Sequence, residues 1–243
     1  AEEGGQPQKV GVAIADIMCG MYAATAIMAA LHERSASGRG QSIEVPLYDS
    51  QVAWLANQAM NFLVGGVVPG RLGTAHPNIV PYQAFPTADG YIMIAVGNDR
   101  QFADCMRRCG LPELAEDARF RRNEDRLANR AELVGLMSAA LARESSAHWT
   151  GEFAASGVPC SPIKDIGEVF SSDYAREAEL VRAVTHPYDA DLPTVANPVK
   201  FSSDAVSYRA PPPLLGQHSG EVLADWLGYS AKTISELKKA GTI

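Results

Sequence analysis

The first 70 residues alternate between short apolar runs and longer stretches with helical spacing. Val10–Ala15 is a run of small and β-branched apolar residues, and it predicts a buried strand that leads into a helix over residues 17–34. After a connector rich in Ser and Gly, residues 41–47 predict a second strand with Pro46 at its end. Residues 49–64 carry apolar side chains along one side and predict a second helix. This β-α-β-α order is typical of a parallel α/β layer.

The spacing changes beyond a glycine-rich stretch over residues 65–73, which predicts a linker or an active-site loop. Tyr82–Phe85 and Tyr91–Val96 flank a turn that contains Asp-Gly, and they predict a β-hairpin because Asp-Gly suits a primed turn. Together with the helices that follow, the hairpin predicts a smaller α+β domain. Cap residues and glycine stops predict those helices over residues 99–108, 129–142 and 145–155.

The remainder of the chain alternates between extended and helical patterns. Residues 158–163 are predicted to be extended, and a short helix is predicted over residues 166–170. Residues 181–199 are strand-like but interrupted by three prolines, and residues 210–216 form a stiff polyproline connector. Two closing helices are predicted over residues 220–227 and 230–240.

Composition narrows the function classes. A chain of 243 residues with 47% apolar content can bury a sizeable core in one large domain or two smaller ones. A net charge of −7 and a pI near 5.3 disfavour a broad nucleic-acid surface. No uncharged apolar run is long enough to span a membrane. The cysteines lack a CxxC pair and the histidines lack metal-ligand spacing, so we expect free thiols and no metal site.

Asp16 is the most informative single residue, because it interrupts an apolar run at the predicted switch from strand to helix. Free backbone N–H groups and the positive end of the helix dipole favour an anion at such a position. Two interpretations are open from the local pattern. Asp16 is an ordinary N-cap, since Asp is among the preferred cap residues, or it is an ionised carboxylate aimed at a ligand.

Several long runs, in order, resemble the family III CoA-transferases, which are related to the acyl-CoA racemases of the CaiB/BaiF group. The resemblance extends over essentially the whole chain, and within the family it is strongest to dicarboxylate transferases of the succinyl-CoA:glutarate type. The runs that carry it are Gly11–Ala24, Ala30–Gln41, Gly73–Phe85, Asp89–Ile92, Gly97–Phe102, Ser156–Pro159 and Arg209–His218.

The resemblance implies an α/β fold in which part of a Rossmann-like large domain is joined to a smaller α+β domain. Residues 1–70 are then part of the large CoA-binding domain, residues 71–185 form the small domain, and residues 186–243 return to the large domain. It also implies an interlocked homodimer. The polar start of the chain lacks an initiator Met, and we expect the chain to be the C-terminal three-fifths of a protein whose absent N-terminal segment supplies many CoA contacts.

Asp16 matches the family's catalytic aspartate, residue for residue. In such transferases the carboxylate attacks an acyl-CoA thioester to form a mixed anhydride, and the CoA thiolate then converts it to an aspartyl-CoA thioester. The resemblance therefore implies CoA transfer from succinyl-CoA, or a similar acyl-CoA, to a dicarboxylic acid. Coenzyme A enters as a substrate, and no metal is involved.

Four further residues are candidates for substrate binding. A loop that shields the thioester in related transferases aligns near residues 72–78, where this chain has Gly73 and His76 instead of a run of glycines. Arg71 could pair with the distal carboxylate of a dicarboxylic acid, because a guanidinium binds carboxylates through two hydrogen bonds. Asp99 aligns with an active-site Glu of racemase relatives. For three of them a local structural role is the alternative: a solvated Arg71, a hydrogen-bonded His76, or a helix-capping Asp99.

Two alternatives to transfer remain open. An acyl-CoA racemase would move the α-proton with an acid/base pair, and its His would lie in the absent segment. The chain could also be a non-catalytic interaction piece, and by itself we expect it to show no turnover. We expect a cytoplasmic protein, or one of the mitochondrial matrix, with acyl-CoA and a carboxylic acid as its small-molecule partners and neither nucleic acid nor membrane as a partner.

Overall fold

The computed structural model describes residues 4–203 and 206–243. The chain divides into two compact units, residues 1–163 and residues 164–243. Each unit is described by itself. The expected boundaries of the large and small domains, at residues 70 and 185, remain predictions.

The first unit opens with one long helix instead of a strand. The helix α1 spans Ile14–Ser37, and residues 4–13 contain no strand. The predicted strand at Val10–Ala15 is therefore wrong: Ile14 already donates to Val12 O at 2.9 Å, and the chain winds into the helix from there. An apolar run becomes a strand only where another strand accepts its hydrogen bonds, and the described part of the first 80 residues has no such neighbour.

The second predicted strand is also absent. Residues 39–46 run without regular secondary structure to Pro46, whose extended backbone (φ −67°, ψ 138°) precedes the helix α2 at Leu47–Ala53. The single helix predicted over residues 49–64 is interrupted. Trp54 and Leu55 donate to carbonyls three residues back, and the helix α3 begins again at Ala56–Leu63, with a positive φ of 44° at Ala56.

The predicted hairpin is confirmed. The strands β1 (Tyr82–Pro86) and β2 (Tyr91–Ala95) pair antiparallel, with Phe85 opposite Ile92. Thr87 N donates to Gly90 O at 2.9 Å and closes the turn. A third strand, β3 (Cys160–Pro162), adds to β2 and completes a three-stranded sheet.

Helices cover this sheet and close the core of the first unit. The predicted helix over residues 99–108 is confirmed, and the two that follow are confirmed to within a residue at each end; Asn98 and Ser145 accept cap hydrogen bonds, and Gly157 ends the last one with a φ of 72°. The helices are α4 (Asp99–Arg108), α5 (Asn123–Ala128), α6 (Arg130–Leu141) and α7 (Ser146–Ser156), with a 3₁₀ turn at Pro112–Ala115. The sequence did not predict α5 or the 3₁₀ turn, because each is too short to show a repeating pattern of apolar residues.

The core of this unit lies between the sheet and these helices. Its largest fully buried apolar side chains come from β1, β2, α4, α6, α7 and the loop before α5: Phe85, Ile92, Ile94, Phe102, Met106, Phe120, Leu133, Met137, Leu141 and Phe153. One charged residue is buried with them, since the Arg126 side chain is only 1% exposed. Because the Arg126 guanidinium is buried, its N–H groups need hydrogen-bond partners from the protein itself.

The helix α1 takes no part in that core. None of its residues is buried, and by length and composition it could cross a membrane, with a mean hydropathy of 1.7 over an 18-residue window. This observation is weak, because the core helix of a soluble protein satisfies the same criteria. What it does establish is an apolar helix whose side chains are left uncovered within the described part of the chain.

The second unit contains a two-stranded ribbon and four short helices. The strands β4 (Val181–His186) and β5 (Asp189–Val195) pair antiparallel, and Pro193 lies within β5 opposite Ala183. A proline is accepted there because a two-stranded ribbon has free edges. The helices are α8 (Ile166–Ser171), α9 (Asp173–Glu177), α10 (Ser219–Asp225) and α11 (Ala231–Lys239), the last capped by Ser230 as predicted.

Candidate functional site

Asp16 is the third residue of α1, and it is exposed. The N-cap position belongs to Ala13, whose side chain makes no cap hydrogen bond. The interpretation of Asp16 as an ordinary N-cap is therefore wrong. Within residues 4–203 and 206–243, no hydrogen bond or salt bridge engages its carboxylate, so the group is free to meet a ligand.

The backbone around Asp16 favours negative charge. In the described part of the chain, the N–H groups of Ala15 and Asp16 donate to no acceptor, as is usual in the first turn of a helix. The 24-residue helix places the positive end of its dipole at the same point, which stabilises an exposed anion by about 0.3–1 kcal/mol. Unpaired N–H groups in the first turn of a helix are a common binding site for anions.

One turn further along α1, Cys19 attaches the helix to the extended segment. Its Sγ donates to Val45 O at 3.2 Å. The next residue of that segment, Pro46, accepts from the buried Ser50 hydroxyl at 2.8 Å. The Cys19 contact thus joins the early part of α1, near Asp16, to Val45 at the end of the irregular segment.

The loop over residues 71–78 is attached to the first strand. Gly73 has a φ of 62°, in the left-handed region, and Ala75 N donates to Leu72 O at 3.0 Å in the turn around it. Thr74 Oγ1 accepts from Ala84 N at 3.0 Å, and His76 N donates to Tyr82 O at 2.8 Å. Arg71 is exposed at the start of the loop and forms no ion pair with any described residue.

His76 is held in one orientation by its own loop. Its ring stacks on Tyr82, with centroids 5.1 Å apart, and its Nδ1 accepts from Asn78 N at 3.1 Å. A nitrogen that accepts a hydrogen bond carries no proton, so in the neutral ring the proton lies on Nε2. His76 therefore offers an N–H donor from Nε2.

Asp99 is occupied by a structural contact. It is the first residue of α4, and the cap of that helix is Asn98, not Asp99, so the predicted capping role is wrong. Asp99 Oδ1 accepts from Arg126 Nη2 at 2.8 Å. The Asp99 side chain is 59% exposed whereas Arg126 is 1% exposed, so the carboxylate neutralises a buried cation from the rim of the core.

The structure thus groups some of the predicted site residues and leaves one apart. Arg71, Gly73 and His76 lie on one loop, and Asp99 is connected to the α5 segment through Arg126. No hydrogen bond or salt bridge of the described residues joins Asp16 to any of them. The roles of all five in a site remain predictions.

A groove of about 720 Å³ lies between α3 and the loop. Its lining is mainly apolar and includes Met60, Val64 and Leu72, with the amides of Asn61 and Asn78 at one wall. These two amides bind each other reciprocally, at 3.0 and 3.1 Å. Sequence reasoning missed both; two asparagines 17 residues apart carry no local signal that they pair.

Comparison with known proteins agrees with this architecture. The model of the family described as "CoA-transferase family III" matches residues 1–219. The chain is 42% identical over 241 residues to a succinyl-CoA:glutarate CoA-transferase of Mus musculus, with 99% of this chain and 55% of that protein covered. It is 40% identical over 225 residues to a succinate–glutarate CoA-transferase of Agrobacterium fabrum, with 92% and 56% covered.

Solved structures show the same fold. A CaiB/BaiF family protein from Brucella suis superposes with a TM-score of 0.74 at 38% identity, with 93% of this chain and 58% of that chain covered. A protein of M. tuberculosis gives a TM-score of 0.76 at 28% identity, with 89% and 57% covered.

The chain spans about half the length of the curated relatives it matches. Its mixture of helices and strands and its solved neighbours confirm the expected α/β CoA-transferase fold, although the strands predicted before residue 80 are absent. On the match of the family model and the identity of its relatives, the chain belongs to CoA-transferase family III.

Proposed function

We propose that the protein transfers CoA from succinyl-CoA to a dicarboxylic acid, with Asp16 as the nucleophile. The observation that carries the proposal is the exposed Asp16 carboxylate, unpartnered among the described residues, beside two backbone N–H groups that are free in the same part of the chain. A paired or capping aspartate would be committed to the fold. The names of the relatives, which are transferases between succinyl-CoA and glutarate, support the choice of substrates.

The first half of the reaction loads CoA onto the protein. A carboxylate oxygen of Asp16 attacks the thioester carbonyl, the C–S bond breaks, and the products are a mixed anhydride and the CoA thiolate. The thiolate then attacks the aspartyl carbonyl of the anhydride. Its C–O bond breaks, succinate leaves as the carboxylate, and Asp16 carries CoA as a thioester.

The second half repeats these steps with the acceptor. The acceptor carboxylate attacks the aspartyl thioester and expels the thiolate, and the thiolate then attacks the acceptor's carbonyl in the new anhydride. Asp16 returns as a carboxylate and the acceptor leaves as its CoA thioester. Each attack develops an oxyanion, and the N–H groups of Ala15 and Asp16 are suitable donors to it.

The loop over residues 71–78 is the proposed acceptor side of the site. Arg71 is an exposed cation without an ion-pair partner in the described part of the chain, and it can pair with the distal carboxylate of a dicarboxylic acid. His76 adds the Nε2 donor established above. Asp99 is proposed as an indirect contributor, because its carboxylate is already paired with Arg126, which donates to Val80 O two residues beyond the loop.

Trapping with hydroxylamine tests the nucleophile. The natural full-length protein is incubated with succinyl-CoA and hydroxylamine, digested, and examined by mass spectrometry. We expect a hydroxamate on Asp16, since hydroxylamine attacks either acylated form of the carboxyl. Asp16→Ala should lower kcat by at least about 10³-fold, the scale of losing a covalent nucleophile.

Asp49→Asn is the matched control, because Asp49 is also an exposed carboxylate in the first turn of a helix. It should retain wild-type transfer. A modified Asp49 with an unmodified Asp16 would contradict the assignment. Incorporation of solvent deuterium at the α-carbon of an acyl-CoA, without acyl exchange, would establish the racemase instead.

We also propose that the protein works as a homodimer that includes a segment absent from this chain. Apolar side chains on α1 and around α3 are exposed, among them Met21, Met28, Leu63 and Val64, and patches of this kind usually lie in interfaces. Light scattering of the natural protein should give the mass of two copies. A monomer with full transfer activity would contradict this assembly.

A further inference from the structure

The loop that carries His76 is held from behind by one helical segment. Asn123 and Arg126 lie on α5, and Arg130 is the first residue of α6. All three donate to main-chain carbonyls of residues 76–80. Hydrogen bonds therefore connect the loop to α5 and α6, a connection that the sequence patterns did not predict.

Arg130 and Asn123 bind the main chain before and after the Pro77–Asn78 peptide. Arg130 Nη2 donates to His76 O at 2.9 Å and to Pro77 O at 3.0 Å. Asn123 Nδ2 donates to Asn78 O at 2.8 Å, and its Oδ1 accepts from Val80 N at 3.1 Å. The peptide that supplies the Asn78 N–H to the ring thus lies between two clamped carbonyls.

Arg130 differs from its neighbour Arg126 in what it does. Arg126 is buried, stacks over Phe102 at 4.4 Å and pairs with Asp99, so it belongs to the core. The side-chain hydrogen bonds of Arg130 within the described residues go to the loop, and its Nη1 is buried there without a partner. Burial lowers the pKa of Arg130. The guanidinium thus contributes little to the core, and its geometry serves the loop.

We infer that Arg130 and Asn123 are positioning residues, which hold the His76–Asn78 turn so that the ring presents its Nε2–H to the acyl group or acceptor carboxylate. They act through His76 and touch no substrate themselves. This inference rests on the proposed transfer, and it extends the site to residues 123 and 130. A displacement of about 1 Å in a positioned group costs on the order of 100-fold in rate.

Steady-state kinetics of the natural full-length protein test the inference. Arg130→Gln should lower kcat about 10- to 100-fold with the KM for succinyl-CoA changed less than about 3-fold, because a misplaced donor weakens the transition state more than binding. Arg130→Lys, which keeps the charge and can still donate to the loop but lacks the planar guanidinium, should recover part of the loss. Arg122→Gln is the control, since Arg122 lies on the same segment with an exposed side chain, and it should leave kcat unchanged.

A double-mutant cycle separates positioning from general support of the fold. In a His76→Asn background the Nε2 donor is gone, so Arg130→Gln should cost less than about 2-fold more. Equal losses with and without His76 would overturn the inference. If Arg130→Gln does not fold, Arg130→Lys and Asn123→Asp provide the same cycle.

An NMR measurement, which needs no catalytic activity, tests the positioning role separately from the proposed CoA transfer. In ¹⁵N NMR with labelled histidine, the wild-type His76 ring should show the proton on Nε2 alone, and Arg130→Gln should show a mixture of tautomers. An unchanged tautomer in Arg130→Gln would overturn the clamp. A protein that gives the expected spectra and no CoA transfer would refute the proposed function and leave the clamp in place.

Discussion

Replacing Asp99 by Asn tests how much the fold depends on Arg126, a buried cation of its core. Arg126 is 1% exposed and donates to three carbonyls, of Val80 at 2.6 Å, Phe120 at 2.9 Å and Arg121 at 3.2 Å. Asp99, at 2.8 Å, supplies its countercharge. The variant keeps an acceptor oxygen but removes that charge, so it isolates the electrostatic part of the contact.

The expected magnitude lies between two limits. Breaking a buried ion pair costs about 3–5 kcal/mol, and an exposed pair contributes about 0–1 kcal/mol. Asp99 is 59% exposed, so solvent screens its side of the pair, and the three carbonyls continue to solvate the guanidinium. We therefore expect Asp99→Asn to lower the free energy of unfolding by about 1–2 kcal/mol, a combination of the two limits.

Thermal unfolding followed by circular dichroism measures the effect. A loss of 1–2 kcal/mol corresponds to a fall in Tm of about 2–8 °C for a chain of this size. Glu152→Gln is the matched control, because Glu152 and Arg108 form a 3.0 Å pair whose side chains are 40% and 42% exposed. Its Tm should stay within about 2 °C of wild type, since exposed pairs contribute little. Equal shifts for the two variants would refute the argument that the burial of Arg126 makes its countercharge important.

Three further predictions concern the loop and the hairpin turn. His76→Gln keeps an N–H donor near the position of Nε2, whereas His76→Asn keeps the acceptor for Asn78 N. His76→Gln should therefore retain the higher kcat for CoA transfer. A higher kcat in His76→Asn would exclude Nε2 as the functional atom. Gly73→Ala should destabilise the loop by about 1–2 kcal/mol because Gly73 has a φ of 62°, whereas Gly70→Ala, at a residue without a positive φ and with open space around it, should leave the Tm unchanged. The Ser146 backbone N–H donates to Asp89 at 2.7 Å and lowers the pKa of this carboxyl, so the contact stabilises the hairpin turn above the unfolded pKa of about 3.9 and is lost as the pH falls through the lower folded pKa. The Tm difference between wild type and Asp89→Asn should therefore be largest at neutral pH and shrink below about pH 4. A Tm difference that does not depend on pH would contradict this account.

Local sequence determined the helix ends and the hairpin turn, where side chains or glycines fit the nearby main chain. Ser145 and Ser230 cap their helices, Gly157 ends one, and Asp-Gly closes the hairpin, all close to the ends of the elements that the sequence predicts. Each of these signals satisfies main-chain groups of its immediate neighbours. The assignment of Asp16 as a site residue rests on a contiguous motif and stays a prediction.

Tertiary structure alone decided the rest. A strand needs a partner to accept its hydrogen bonds, and the apolar runs before residue 47 have none in the described part of the chain, so Val10–Ala15 enters a helix and residues 41–47 stay irregular. The contacts that hold His76 join residues far apart in sequence: Arg130 reaches carbonyls 53 and 54 residues away, and Asn123 one that is 45 residues away. Main-chain carbonyls are the same at every position, so no sequence pattern marks which of them a distant side chain will bind; only the packing of α5 and α6 against the loop makes that choice.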